Sequence, residues 1–439
     1  MVEQVETAIV KLWGEDIGAV SWLKEQGYAV FEYEPDFLTK GLELAPIHMN
    51  LDTARRGDGI FSFPALNRDT FLGLPGLLAD ALPDKFGNRI IDTWLARNGR
   101  DASDFSPVER LCYTGSRAMG ALEFHPPVQQ NIDTPVSVEV EELTHLAARI
   151  TTRRSKLDVT LGENEHLNNE ALLDILRVGT SAGGARPKAI IAINDQGHVL
   201  SGQAVVPKEY EYWILKFDGV NDLELGSPKE YGRIEYGYFL MAKKAGIRMT
   251  NSRLLEEHGR AHFLTRRFDR KKGRKLHMQS LCGMAHFDFN MAGGYSYEQA
   301  FEVMRRLRLS KAEAIQQYRR MVFNVIARNQ DDHTKNIAFL MDADGKWHLS
   351  PAYDVTYSHN PAGIWINQHQ MSINGKRDHF SIDDLIAVGK SISLPKPIQI
   401  IKEVKEAVQN WPRFAGKAGL SKEISDEIGR NHRFRDKSI

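Results

Sequence analysis

The chain has 439 residues, 42% hydrophobic and 26% charged, and its 57 Lys+Arg balance its 57 Asp+Glu to a formal net charge of zero. That composition excludes a disordered, fibrous or disulfide-stapled protein and gives no global electrostatic reason to bind nucleic acid. Cys112 and Cys282 form no CxxC pair or Cys/His cluster, the start Met1-Val2-Glu3-Gln4-Val5-Glu6 lacks an apolar core, and no run approaches the ~18–20 apolar residues of a membrane span, so a cytoplasmic protein without zinc, disulfide or membrane anchor is expected.

Residues 6–33 alternate apolar and polar positions in Ala8-Ile9-Val10-Lys11-Leu12-Trp13, Ile17-Gly18-Ala19-Val20-Ser21-Trp22 and Tyr28-Ala29-Val30-Phe31-Glu32-Tyr33, a pattern that predicts a β-meander. Residues 86–98 place Ile90, Ile91, Trp94 and Leu95 on one helical face. Together they predict a β-rich module over residues 1–130, followed by a linker that passes into helix before residue 151.

Residues 179–188 are rich in glycine and small hydroxyl side chains and run straight into the apolar strand Ala189-Ile190-Ile191-Ala192-Ile193. Such a loop can bring backbone N–H groups against phosphate oxygens, or can simply be a turn. It is not a Walker A loop, because Ala185-Arg186 stands where Lys-Ser/Thr is required. Glu211-Tyr212-Trp213-Ile214-Leu215-Lys216-Phe217 predicts a strand with one lysine, read either as a phosphate grip or as an edge lysine whose stem reaches water. Glu235 is expected to open the next helix, as a partner for Lys216 or as a complement to the helix dipole. A further strand is expected over 262–270, with the basic hairpin tip Lys271-Lys272-Gly273-Arg274-Lys275 beyond it. Helices follow over 296–307, 311–328, 382–388, 398–409 and 422–431. The chain is therefore expected to comprise a β-rich module over residues 1–130, a lobe carrying the Gly-rich loop over 131–283 and a helical lobe over 284–439.

The helix ending at Arg328 leads into Asn329-Gln330-Asp331-Asp332-His333-Thr334-Lys335-Asn336, and a predicted strand, turn and strand bring the chain to Tyr353-Asp354-Val355. An Asp and an Asn five positions apart, with a second Asp after a short hairpin, is the layout of kinase-like sites: one acid orients the attacking hydroxyl while the amide and second acid hold Mg²⁺ against the phosphates. The same residue types also cap helices and form Asx turns. Asp331 has the five-residue spacing to Asn336, and its neighbour Asp332 does not.

The ordered set resembles the HipA family of serine/threonine kinases, the toxins of HipA–HipB toxin–antitoxin modules. The likeness runs through Lys11-Leu12-Trp13, Leu82-Pro83-Asp84, residues 181–188, Ile214-Leu215-Lys216, Arg267-Phe268-Asp269, Asp331-Asp332-His333-Thr334-Lys335-Asn336 and Tyr353-Asp354-Val355. The resemblance implies an α+β, kinase-like bilobal fold and a protein kinase that uses ATP and Mg²⁺. In it Asp331 would be the catalytic base, and Asn336 and Asp354 the metal ligands. Lys216 would hold the ATP phosphates with Glu235 as ion-pair partner and Lys188 assisting. The loop residues Ser181, Ala182, Gly183 and Gly184, with His333, Lys335 and Tyr353, fall on the nucleotide side; backbone near Arg266 and Phe268 would meet adenine, and Asp269 the ribose. Ser181 would be the autophosphorylation site, where about −2 of added charge could expel the loop. A protein substrate such as an aminoacyl-tRNA synthetase or other translation factor is implied, as is a separate HipB-like helix-turn-helix antitoxin through which DNA is met indirectly.

Two departures stand out. Arg266 occupies the place of a glutamate common in the family, and Gly183-Gly184-Ala185-Arg186-Pro187-Lys188 replaces its usual Gly-Ala-Gln-Glu-Lys, so the substrate of familiar members does not carry over. A catalytically weak corepressor and a small-molecule kinase are the alternative readings.

Overall fold

In a computed structural model of the chain, residues 4–83, 85–97, 99–128, 135–152, 186–220, 230–271 and 273–435 are described. The Gly-rich loop residues Ser181, Ala182, Gly183 and Gly184, and the expected helical run at 171–176, lie outside them. The fold mixes helix and sheet and divides into two units: Met1–Leu42 with Leu51–Gly232 and Arg253–His277, and Glu43–Asn50 with Arg233–Ser252 and Met278–Ile439. The expected lobe over 131–283 thus contributes segments to both.

In the first unit the N-terminal alternation builds the expected meander. Strands β1 (Thr7–Leu12), β2 (Glu15–Leu23), β3 (Tyr28–Tyr33), β4 (Ile60–Ser62) and β5 (Leu122–His125) form a sheet in the order β4-β3-β2-β1-β5. Ala8, Val10 and Leu12 are buried and alternate with outward positions, as a one-sided core requires. Gly18 lies where a Cβ would come within 2.2 Å of the Glu32 carbonyl oxygen, so β2 and β3 approach closely only because that side chain is absent.

The second sheet of this unit contains β6 (Lys188–Ile193), β7 (Val199–Ser201), β8 (Glu211–Lys216), β9 (Ser252–Glu257) and β10 (Arg260–Arg266), in the order β7-β6-β8-β10-β9. Ile191, Trp213, Leu215, Phe217 and Leu264 from the sheet form one buried cluster with Ile90, Trp94 and Leu95 of the helix Lys85–Arg97 and with Leu143 and Ala147 of the helix Val140–Thr152. Both helices therefore cover the sheet face carrying the odd-numbered residues of β8 and leave the Lys216 face to other uses.

The second unit is mainly helical around Lys311–Ile326, whose Ser310 and Glu313 form a reciprocal capping box. Glu313 also accepts the Leu349 N–H at 2.9 Å, fixing this helix to the small sheet of β13 (His277–Ser280), β14 (Ala338–Met341) and β15 (Trp347–Leu349). Between β11 (Arg270–Lys271) and β12 (Arg274–Lys275) of the first unit lies the basic tip. Two local expectations are corrected. The helix carrying Glu235 begins at Tyr231, so Glu235 sits in its second turn instead of opening it. The strand expected to reach residue 270 ends at Arg266, because Phe268 and Asp269 bend out of the ladder. Among the described residues no helix is long and apolar enough to cross a membrane.

Candidate active site

The helix Lys311–Ile326 is stopped by Ala327 and by Arg328, whose φ of 57° takes the chain out of helical geometry. The loop beyond is held from both ends: the Gln330 N–H donates to Ser358 O at 3.0 Å, and residues Thr334–Asn336 close a single 3-10 turn. The Asn336 side-chain N–H donates to the Asp331 carbonyl at 2.7 Å. The five-residue spacing therefore closes on itself through the amide N–H of Asn336, which leaves its amide oxygen outside that bond.

The hairpin of β14 and β15 returns the chain to Asp354, whose φ of 52° is a left-handed conformation uncommon for any residue but glycine. Strain of this kind concentrates at functional sites. Tyr353 reaches across to donate its hydroxyl to the Lys335 carbonyl, tying the acid-bearing turn to the loop. Asn336, Tyr353 and Asp354 line one cleft with Asp332, Asn324 and Arg320. Among the described residues there is no group of three or more His, Cys, Asp or Glu suited to a metal. One carboxylate and one amide oxygen is nonetheless the sparse, hard donor set that Mg²⁺ takes when phosphates and water complete its octahedron, so these residues fit that ion.

The adjacent acids have opposite environments. Asp331 is 39% exposed and accepts the Trp365 indole N–H at 2.7 Å, with His333 Nε2 at 3.8 Å. Asp332 is buried and accepts from the Tyr297 hydroxyl, His369 Nδ1 and the Gln370 N–H, each at 2.8 Å. Burial alone would raise the Asp332 pKa, but His369 and the three donors outweigh it and hold the carboxyl below its usual range. Asp331 is thus the exposed acid of the pair, and Asp332 is an internal anchor. Lys335 places its ammonium 4.5 Å over the Phe289 ring, and that ring lies 5.5 Å from His333.

In the first unit, β6 and β8 pair Lys188 directly with Lys216. Residues opposite one another in an antiparallel ladder share a face, so the two lysines lie on the same side of the sheet, with Lys216 Nζ 5.8 Å over the Phe263 ring. Arg186, at the exit of the Gly-rich loop, stacks 3.6 Å over Tyr231. Arg266 pairs with Glu211 at 3.0 Å on the surface, and Phe268 is half-buried. Asp269 is fully buried: Arg267, Arg270 and the Gly120 N–H take its oxygens at 2.6–2.9 Å. Against burial, the two guanidinium groups drive its pKa strongly down. Its carboxylate faces protein, joining the end of β10 to the turn before β5. Glu235 is buried in the second unit.

Sequence reasoning missed Trp365, Tyr297 and His369, which lie 34 or more positions from their acids and belong to no local motif. Comparison with known proteins gives the family frame. The HipA N-terminal domain family matches residues 8–125 and the HipA-like C-terminal domain family residues 180–411. A Haemophilus influenzae protein described as a putative kinase is 23% identical over 295 residues, 57% of this chain and 80% of that one. HipA of Shewanella oneidensis MR-1, solved with HipB and operator DNA, superposes with a TM-score of 0.67 at 17% identity, covering 96% of this chain and 94% of that one.

Proposed function

The chain belongs to the HipA family and has its kinase-like fold, and on that premise we propose that it is an ATP- and Mg²⁺-dependent protein serine/threonine kinase. The observation that carries this reading is the closed Asp331–Asn336 loop, with Asn336 and Asp354 lining one cleft. Asp331, exposed, would orient the acceptor hydroxyl and take its proton as the oxygen attacks the γ-phosphorus and ADP departs. Asn336 and Asp354 would hold Mg²⁺, which when bound neutralises phosphate charge. Lys216 and Lys188 would bind phosphate oxygens, and His333, Lys335 and Tyr353 are proposed to fall on the nucleotide side.

Ser181 is proposed as an autophosphorylation site that switches the kinase off. A HipB-like antitoxin, and DNA through it, is proposed as partner because the Shewanella relative was solved in such a complex. The substrate is proposed to be a protein of the translation machinery. The test is a phosphoproteome comparison of cells expressing the wild type or Asp331→Gln. The reading predicts Ser/Thr sites on a protein target in the wild type alone; indistinguishable phosphoproteomes would refute it.

A further inference from the structure

The loop after Asp354 brings an unassigned group to the base. Asp331 Oδ1 accepts the Trp365 indole N–H at 2.7 Å, and among the described residues no donor reaches Oδ2. Trp365 is not placed there by its ring alone. The Asn360 N–H donates to Ile366 O at 3.1 Å and the Gly363 N–H to Asn360 O at 3.0 Å, closing a tight turn behind the indole. The Gln370 side chain donates to the Trp365 carbonyl, while the Gln370 backbone N–H holds Asp332 Oδ1. One residue thus fixes both the buried acid and the donor that meets its exposed neighbour.

An indole is suited to this task. It has one N–H, no acceptor, and no ionisation near neutral pH, so it can hold a carboxylate oxygen without acting as the reaction's acid or base. The ring stays half-buried beside His333, 6.4 Å between centroids, with Ile364 98% exposed immediately before it. Packing by itself would leave the N–H direction arbitrary, whereas here it points at the carboxylate.

We propose that Trp365 is a positioning residue for phosphoryl transfer: its indole N–H pins Oδ1 of Asp331 so that Oδ2 is the oxygen presented to the acceptor hydroxyl. The inference rests on the kinase reading for its catalytic consequence, while the contact itself does not. Trp365→Phe keeps an aromatic ring and deletes the N–H. Steady-state phosphoryl transfer should show kcat reduced about tenfold, the equivalent of about 1.4 kcal/mol, with KM for ATP unchanged and no further loss when the substitution is added to Asp331→Gln. A kcat equal to or above that of the wild type overturns the proposal, the latter because it would make the indole a blocker.

A second measurement does not need that variant to fold or the enzyme to turn over. The seven tryptophans give seven indole N–H signals in a ¹⁵N-labelled chain. Asp331→Ala should move one of them toward the position of a weaker hydrogen bond and speed its exchange with water. If none responds, the contact is refuted. A responding signal in a wild-type chain that transfers no phosphate would support the contact and overturn the kinase reading with its catalytic consequence.

Discussion

Replacing Asp332 by Ala should destabilise the second unit more than any exposed acid-to-alanine change. The carboxylate has three donors at 2.8 Å in a buried setting: the Tyr297 hydroxyl, His369 Nδ1–H and the Gln370 N–H. Each orphaned buried donor costs about 1–3 kcal/mol. Tyr297 lies next to the Asn324 amide and His369 Nε2 has no partner among the described residues, so relaxation toward new partners is limited. Breaking a buried pair by removing one member costs about 3–5 kcal/mol, and that is the expected loss. The assay is urea unfolding followed by amide exchange of residues 329–336, which assigns the loss to this unit. A change below about 0.5 kcal/mol, the usual scale of a surface substitution, would refute the reasoning. Because the folded pKa of Asp332 is depressed, its contribution is present above the unfolded value of about 3.9 and is lost as pH falls through the folded value.

Asp269→Ala should also cost about 3–5 kcal/mol, here in the first unit, since it strands two buried guanidinium groups; a thermal scan showing wild-type stability would contradict the structural role given to this carboxylate. His277 is 1% exposed, and burial lowers its pKa to about 3. The unfolded imidazole takes a proton first, so stability is retained above about 6.5 and falls by about 1.4 kcal/mol per pH unit below it, down toward the folded value. Urea midpoints of wild type and His277→Gln between pH 7.5 and 5 test this: the variant should have the shallower slope, and parallel slopes would count against it.

The meander was legible because Ala8, Val10 and Leu12 alternate with period two against one core, a signal local to each strand. The helices Tyr297–Arg306 and Lys311–Ile326 were legible through apolar residues at three- and four-residue spacing, and each starts with a capping box in the structure. Strand β9, Ser252–Glu257, escaped notice since its edge position leaves charged residues interleaved without a clean period. At the site, the Asp331-to-Asn336 spacing was readable because the bond it forms is local. The Asp332 partners and Trp365 were not, because chains from 34 to 38 positions away converge on these acids only through tertiary packing. Asp269 illustrates the converse: a motif position can be identified from sequence while the burial that decides what its carboxylate touches comes from Gly120, far upstream.

The claim that Asp331 works as the base of an ATP-dependent protein kinase meets its most direct test in one incubation of purified chain with Mg²⁺ and γ-labelled ATP, followed by peptide mass spectrometry. The account predicts label in the wild-type chain on the loop peptide containing Ser181, and none in Asp331→Gln. Equal incorporation by the two proteins would contradict the assignment of the base, and no incorporation by a wild-type chain that binds nucleotide would contradict the autophosphorylating kinase itself.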